Sequence, residues 1–187
     1  MGAESDGDLY RKVLGRYPTG VTLVTGIEGD EPLAMVIGSF VSVSMDPPLV
    51  GFLPGKSSYS WPRSETSGSF CVNVLSDTQE DLSNAFFRKD GDPWKETDWV
   101  PAASGSPVIP SCLASIDCAI HDVVDAGDHW FVLGRVTDLS HVDEGSPLVF
   151  LGGRYGGYRP PVCWPSTPWA TGSRRSTPRL TSIRWPW

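Results

Sequence analysis

GSFVSVSMDPPLVGFLPGKSSYSW, residues 38–61, carries more structural and chemical information than any other stretch of this chain. A hydroxyl-bearing extended run (Ser39, Ser42, Ser44) meets the rigid Pro47-Pro48 pair. An apolar strand from Leu49 to Leu53 follows, and then Gly55, Lys56, Ser57, Ser58 and Ser60. That order suits a ligand with a flat polar ring at one end and a phosphate at the other. Serine hydroxyls and backbone N–H groups hold the carbonyl and nitrogen edge of such a ring, and a Gly-Lys-Ser-Ser loop offers N–H groups and a cation. Solvent-facing serines on ordinary strands give the same pattern, so the segment alone leaves both readings open. The triphosphate-binding pattern GxxxxGK[ST] is not met: counting back from Gly55-Lys56-Ser57, its first glycine falls on Val50, and no suitable helix follows.

Outward from this segment the chain is mostly strand-like. Asp8 to Arg16 predicts a short helix, with Leu9 and Val13, and Tyr10 and Leu14, at helical spacing before Pro18 and Gly20. Val21 to Thr25, Leu33 to Val43 broken at Gly38, and Phe70 to Leu75 read as strands, with a turn at Gly29-Asp30. Ser76 to Phe87 predicts a second helix, with Ser76 or Asp77 as its cap and Leu82, Ala85 and Phe86 on one face. A polar loop runs from Lys89 to Pro107, long enough to cover a site. Ser111 to Val124 and His129 to Asp138 predict two long strands joined by a turn at Asp125 to Asp128, and Pro147 to Leu151 one more. Many short strands with few helices predict a mainly β barrel or sandwich rather than alternating βαβ units.

The length of 187 residues predicts one domain with a sizeable core. A net charge of -7 and a pI near 4.8 exclude general affinity for nucleic acid, so any anion site is local. Cys71, Cys112, Cys118 and Cys163 show neither CxxC nor zinc spacing, and Cys71 and Cys118 sit in apolar runs as buried structural thiols. No metal site is expected. The acidic start, Met1 to Asp8, is unlike a signal peptide, and no apolar run approaches the roughly 18 residues of a membrane span. The expectation is a soluble, cytoplasmic protein. Arg159 to Trp187 changes character, with frequent Pro and Arg, four Trp and no Asp or Glu. It reads either as a basic aromatic arm for a partner or as an irregular extension.

Gly127-Asp128-His129 opens a predicted strand, and a histidine at a ligand mouth tunes charge near neutral pH. His121 and His141 lack such a setting and read as surface residues. Arg16-Tyr17-Pro18-Thr19-Gly20-Val21, GSFVSVSMDPPLV, Phe70-Cys71-Val72-Asn73-Val74-Leu75, Gly127-Asp128-His129 and Gly152-Gly153-Arg154-Tyr155 occur in one order. In that order and spacing the chain resembles the flavin reductase-like family, which includes the reductase components of two-component flavin monooxygenases. The resemblance covers about residues 8–158 and excludes the tail, so residues 1–158 are expected to form the domain.

The resemblance implies a Greek-key split β-barrel with a few peripheral helices, a homodimer with flavin near its interface, and no membrane or nucleic acid partner. It implies hydride transfer from NADH or NADPH to FMN or FAD, with the reduced flavin passed to a partner monooxygenase. The alternative is a flavin-binding electron carrier or flavin-holding protein without efficient nicotinamide turnover. Carried over by position, Val36, Ile37, Gly38, Ser39 and Ser44 would meet the ring and ribityl chain. Pro54, Gly55, Lys56, Ser57, Ser60 and Trp61 would surround the phosphate, and Ala85 and Phe86 would close the ligand from the helix. His129 would serve catalysis by orienting charge, and it would border the nicotinamide with Gly152, Gly153, Arg154 and Tyr155. Met35-Val36-Ile37 is bulkier, and Phe87 larger, than the residues the family often has there.

Overall fold

The computed structural model describes residues 6–88 and 91–158, so the expectations about the 159–187 tail and Cys163 lie outside the described residues. Helix α1 (Asp6–Leu14) stops two residues earlier than expected. Its last turn tightens at Gly15, with Arg16 and Tyr17 N–H groups donating to the carbonyls of Val13 and Leu14. After a two-residue β1 (Thr19–Gly20) come β2 (Thr22–Glu28) and β3 (Glu31–Ile37). These two form a hairpin because Gly29, at a φ of 60°, takes the left-handed conformation at the first turn position and sets Glu28 opposite Glu31.

The expected single run from Leu33 to Val43 is instead two strands, β3 and β4 (Val41–Met45), with a corner at Gly38-Ser39-Phe40. β5 (Pro48–Phe52) returns antiparallel to β4. A short helix, α2 (Trp61–Glu65), follows, then β6 (Ser69–Val74) and helix α3 (Glu80–Phe87). α3 starts four residues later than expected. Ser76 to Gln79 is a separate turn: the Gln79 N–H donates to the Ser76 carbonyl at 2.9 Å, and the Gln79 side-chain Oε1 accepts the Ser76 N–H at 2.9 Å. Beyond it lie β7 (Val100–Pro101), β8 (Pro107–Val108), β9 (Ala114–Ala126), β10 (His129–His141), β11 (Leu148–Leu151) and β12 (Arg154–Gly157).

Seven strands join antiparallel in the order β3-β2-β6-β9-β10-β5-β4. A flat sheet of seven strands spaced about 4.8 Å apart is roughly 29 Å wide. The link from Ile37 to Val41 joins its two opposite edges, and four residue steps span at most about 14 Å. The sheet therefore curls into a barrel, split at the β3–β4 corner, where no ladder joins the two edges among the described residues. This is the mainly β split barrel with peripheral helices that the sequence suggested.

Inside the barrel lie Val24, Met35, Ile37, Phe52, Phe70, Val72, Cys118 and Val132. Phe52 meets Trp61 and Phe70 edge to face, at centroid distances of 5.5 Å and 5.0 Å. β2 is buried on both faces: Val24 points into the barrel, and Leu23 joins an outer cluster with Val21, Leu75, Ile109 and Leu148. The outer cluster seats α3 and the loop that carries Trp94 and Trp99. A smaller sheet, β1-β11-β12, is attached through Val21, whose N–H donates to Leu148 and whose carbonyl accepts from Leu75.

Burial raises the thiols of Cys71 and Cys118 to about 12, consistent with structural rather than reactive cysteines. Among the described residues no helix is long and apolar enough to cross a membrane. Asn73, fully buried on β6, accepts the Ile109 N–H at 2.8 Å and donates toward Leu23, Thr25 and Pro107. It thereby ties the loop before β9 to β2 and β6. Asn73→Ala leaves the buried Ile109 N–H without its partner and takes one donor from each of the Leu23 and Pro107 carbonyls, and it is expected to cost about 3 kcal/mol, read as a lower urea midpoint at unchanged slope.

Candidate functional site

The outer face of β3 is the floor of the site. Strand alternation sends Met35 and Ile37 into the barrel and leaves Ala34 and Val36 on the outside. Against that face stand α3 on one side and the segment from Gly55 to Ser60 on the other. Together they enclose a hollow of about 790 Å³ that includes Val36, Gly55, Ser57, Ser60, Phe86 and Trp94. A second hollow of about 430 Å³ shares Val36 and Phe87 with the first and adds Gly38, Thr19, Asn84, Gly153 and Tyr155. A third, of about 460 Å³, continues past Gly38 to Ser39, Phe40 and Tyr17. The three share bordering residues and run as one groove, and each hollow alone is in the size range of small-molecule and cofactor sites.

Gly38 is a tight point beside the groove: a Cβ built there lies 2.9 Å from the Thr19 hydroxyl, so a larger residue makes the Thr19 side chain shift. The Ser39 hydroxyl accepts the Leu53 N–H at 3.0 Å and donates to the Leu53 carbonyl at 3.3 Å. Ser39 borders the groove, yet its hydroxyl is already used to pin the barrel corner. Tyr155 meets Ser83 at 3.0 Å through its hydroxyl and packs edge to face on Phe150, which fixes its ring at the groove.

The groove brings together Val36, Gly38, Ser39, Gly55, Ser57, Ser60, Phe86, Gly153 and Tyr155 of the expected residues. Others go elsewhere, and each has a physical reason. The side chains of Ile37 and Trp61 lie in the barrel core, and Pro54 is fully buried. Ser44 sits on β4 opposite Leu49, away from the groove. Ala85 is exposed on the far side of α3. Residues 84 and 87, three apart and hence on one face of the helix, border the groove in its place. Gly152 donates its N–H to Gly15 in the β11–β12 turn, and Arg154 is exposed on β12.

His129 stands at the rim rather than in the groove. It forms an antiparallel bridge with Gly55, and its Nδ1 lies 2.7 Å from Asp128 Oδ1. That hydrogen bond holds the Asp128 carboxyl below the usual carboxylate range. His129 and Tyr155 border different parts of the site, so the expected shared nicotinamide border is not formed within one chain. The Lys56 ammonium, expected beside the phosphate, is bonded here to Asp125 and lies 4.5 Å from the centroid of the Trp130 ring.

Asn84, Arg63 and Trp94 were not singled out from sequence, Thr19 was noted only within a motif, and Phe87 only as a departure from the family's pattern. For Asn84 and Phe87 the signal was the helical period itself. Arg63 gave none, because its place depends on the distant Glu28 and Glu31 carboxylates, which keep it more firmly protonated than an ordinary arginine.

The residues present fit a flavin. The glycine constriction and the Val36, Phe87 and Tyr155 surfaces suit a flat ring, and the Ser57 and Ser60 hydroxyls suit an anionic end. Arg63, which borders the larger hollow, keeps its Nη1 buried and without a partner among the described residues.

Residues 14–159 match the model of the flavin reductase like domain family. The chain is 47% identical over 154 residues to a flavin reductase of Pseudomonas putida, covering 82% of this chain and 91% of that protein. It is 43% identical over 160 residues to HsaB, the reductase subunit of a flavin-dependent monooxygenase of Rhodococcus jostii, covering 86% and 82%. Among solved structures it superposes on the NADH:FAD oxidoreductase SgcE6 of Streptomyces globisporus, in complex with NAD and FAD fragments. That match has a TM-score of 0.80 and 36% identity, and it covers 87% of this chain and 98% of the other.

The constriction yields a prediction. Gly38→Val is expected to weaken FMN binding about tenfold or more in a fluorescence titration. Gly156→Val, at a position with nothing within 4 Å of its Cβ, is expected to leave binding unchanged.

Proposed function

Because the chain belongs to the flavin reductase-like family, we propose that the groove along β3 is where its flavin and nicotinamide meet. The chain is an NAD(P)H-dependent flavin reductase: bound FMN or FAD accepts a hydride from NADH or NADPH, and the reduced flavin serves a partner monooxygenase. The observation that carries the placement is the sharing of Val36 and Phe87 between the two hollows, which joins Ser57 and Ser60 to Gly38 and Tyr155 in one groove.

Val36 and Gly38 form the floor of the ring site, and Phe87 and Tyr155 its walls. Ser57 and Ser60, with Arg88 at the same hollow, receive the anionic end in place of Lys56. Hydride transfer needs no protein acid or base, so these residues act by positioning and by excluding water. His129, at the rim beside Gly55, orients charge for the arriving nicotinamide.

Residues 1–158 form this functional unit, and 159–187 is an appended segment. We read the protein as a cytoplasmic homodimer. Val41, Val43 and Met45 of the edge strand β4, which bulges between Ser42 and Ser44, remain 45%, 43% and 45% exposed, apolar surface that supports pairing with a second copy.

The test crosses NADH and NADPH with FMN, FAD and riboflavin and follows the loss of reduced-nicotinamide absorbance. Oxidation that requires added flavin and rises in proportion to protein is expected. A tightly held flavin that dithionite bleaches and neither nicotinamide reduces would instead mark a flavin-holding protein.

A further inference from the structure

Lys56 stands between two residues that border the larger hollow, Gly55 and Ser57, yet its own side chain is committed to the β9–β10 hairpin. Its ammonium donates to Asp125, one residue before the end of β9, and lies over the ring of Trp130, the second residue of β10. The Lys56 N–H donates to the Asp128 carbonyl at 2.9 Å, and the Trp130 N–H donates to the Pro54 carbonyl at 3.0 Å. Both neighbours of His129 are therefore tied to residues 54–56, and His129 itself bridges Gly55. A Cβ at Gly55 would lie 3.8 Å from His129 Nε2, so the imidazole faces this segment.

We propose that Lys56 is a positioning residue for His129: it fixes the β9–β10 tip against the groove and does not bind the flavin phosphate. The inference rests on the flavin reductase reading above. Lys56 is the only link from residues 54–56 to the hairpin made by a charged side chain among the described residues; the others are backbone bonds that any residue makes. The hydrogen bond from Lys56 holds the Asp125 carboxyl below its ordinary range, so the tie persists through neutral and mildly acidic pH. An exposed ion pair adds little stability. The tip is a two-residue turn at Gly127-Asp128, however, and His129 is the first residue after it, so what the pair can affect is the orientation of that side chain.

The full chain is compared with Lys56→Met, Lys56→Arg and Asp125→Asn by two readouts. The first, without flavin or nicotinamide, is amide hydrogen exchange at residues 128–130. It is expected to be about threefold to fivefold faster in Lys56→Met and Asp125→Asn, and close to the parent in Lys56→Arg. The second is steady-state kinetics with FMN and with riboflavin, which has no phosphate. In Lys56→Met, kcat is expected to fall about tenfold with both flavins, leaving the ratio of their KM values unchanged.

A rise in KM for FMN alone, with riboflavin unaffected, would make Lys56 a phosphate ligand and overturn the proposal. Unchanged exchange at residues 128–130 would overturn it as well. If the parent chain oxidises neither nicotinamide, the activity reading fails separately, and the exchange comparison still decides whether Lys56 holds the hairpin.

Discussion

The short link from Ile37 to Val41 is the constraint on which the rest of the molecule depends. It joins the two outermost strands of a seven-stranded sheet across three residues, and no flat sheet permits that. The Ser39 hydroxyl secures the corner by engaging both the N–H and the carbonyl of Leu53. Once the corner is set, the inner residues of β3 must enter the barrel and its outer residues must face α3. The floor of the groove is a consequence of closing the barrel. Gly38, pressed against Thr19, belongs to both.

The site is assembled from parts far apart in sequence, and backbone hydrogen bonds do most of the joining. Residues 54–56 meet the β9–β10 tip through the Lys56 and Trp130 N–H groups, and β1 meets β11 beside Tyr155. Such ladders position side chains closely without using the side chains' own polar groups. The hydroxyls of Ser57 and Ser60 and the faces of Phe87 and Tyr155 remain available for a ligand. Fixed geometry of this kind is what hydride transfer requires, since the reacting centres belong to the cofactors and the protein supplies orientation.

Much of this was legible in the chain. The strand-like runs at residues 21–25, 33–43 and 49–53 and the turns at Gly29-Asp30 and Asp125 to Asp128 pointed to a barrel or sandwich, and the five ordered motifs to the family and its split barrel. Local patterns failed where a side chain's fate depended on distant residues. The Ser39 hydroxyl is engaged by Leu53 and the Lys56 ammonium by Asp125 and Trp130, contacts that no local pattern reveals. Trp61, which follows a serine-rich loop, is drawn into the core by Phe52. On α3 the motif pointed to Ala85, whereas the helical period turns Asn84 and Phe87 to the groove.

The central claim is that flavin lies in the groove between β3, α3 and residues 55–60. Backbone-amide chemical shifts recorded while riboflavin is added test it most directly. The account predicts that the largest changes cluster at Val36, Gly38 and Ser57 and along the last turn of α3 through Phe87. Changes confined to α1 or to β7 and β8, with those amides unmoved, would contradict it.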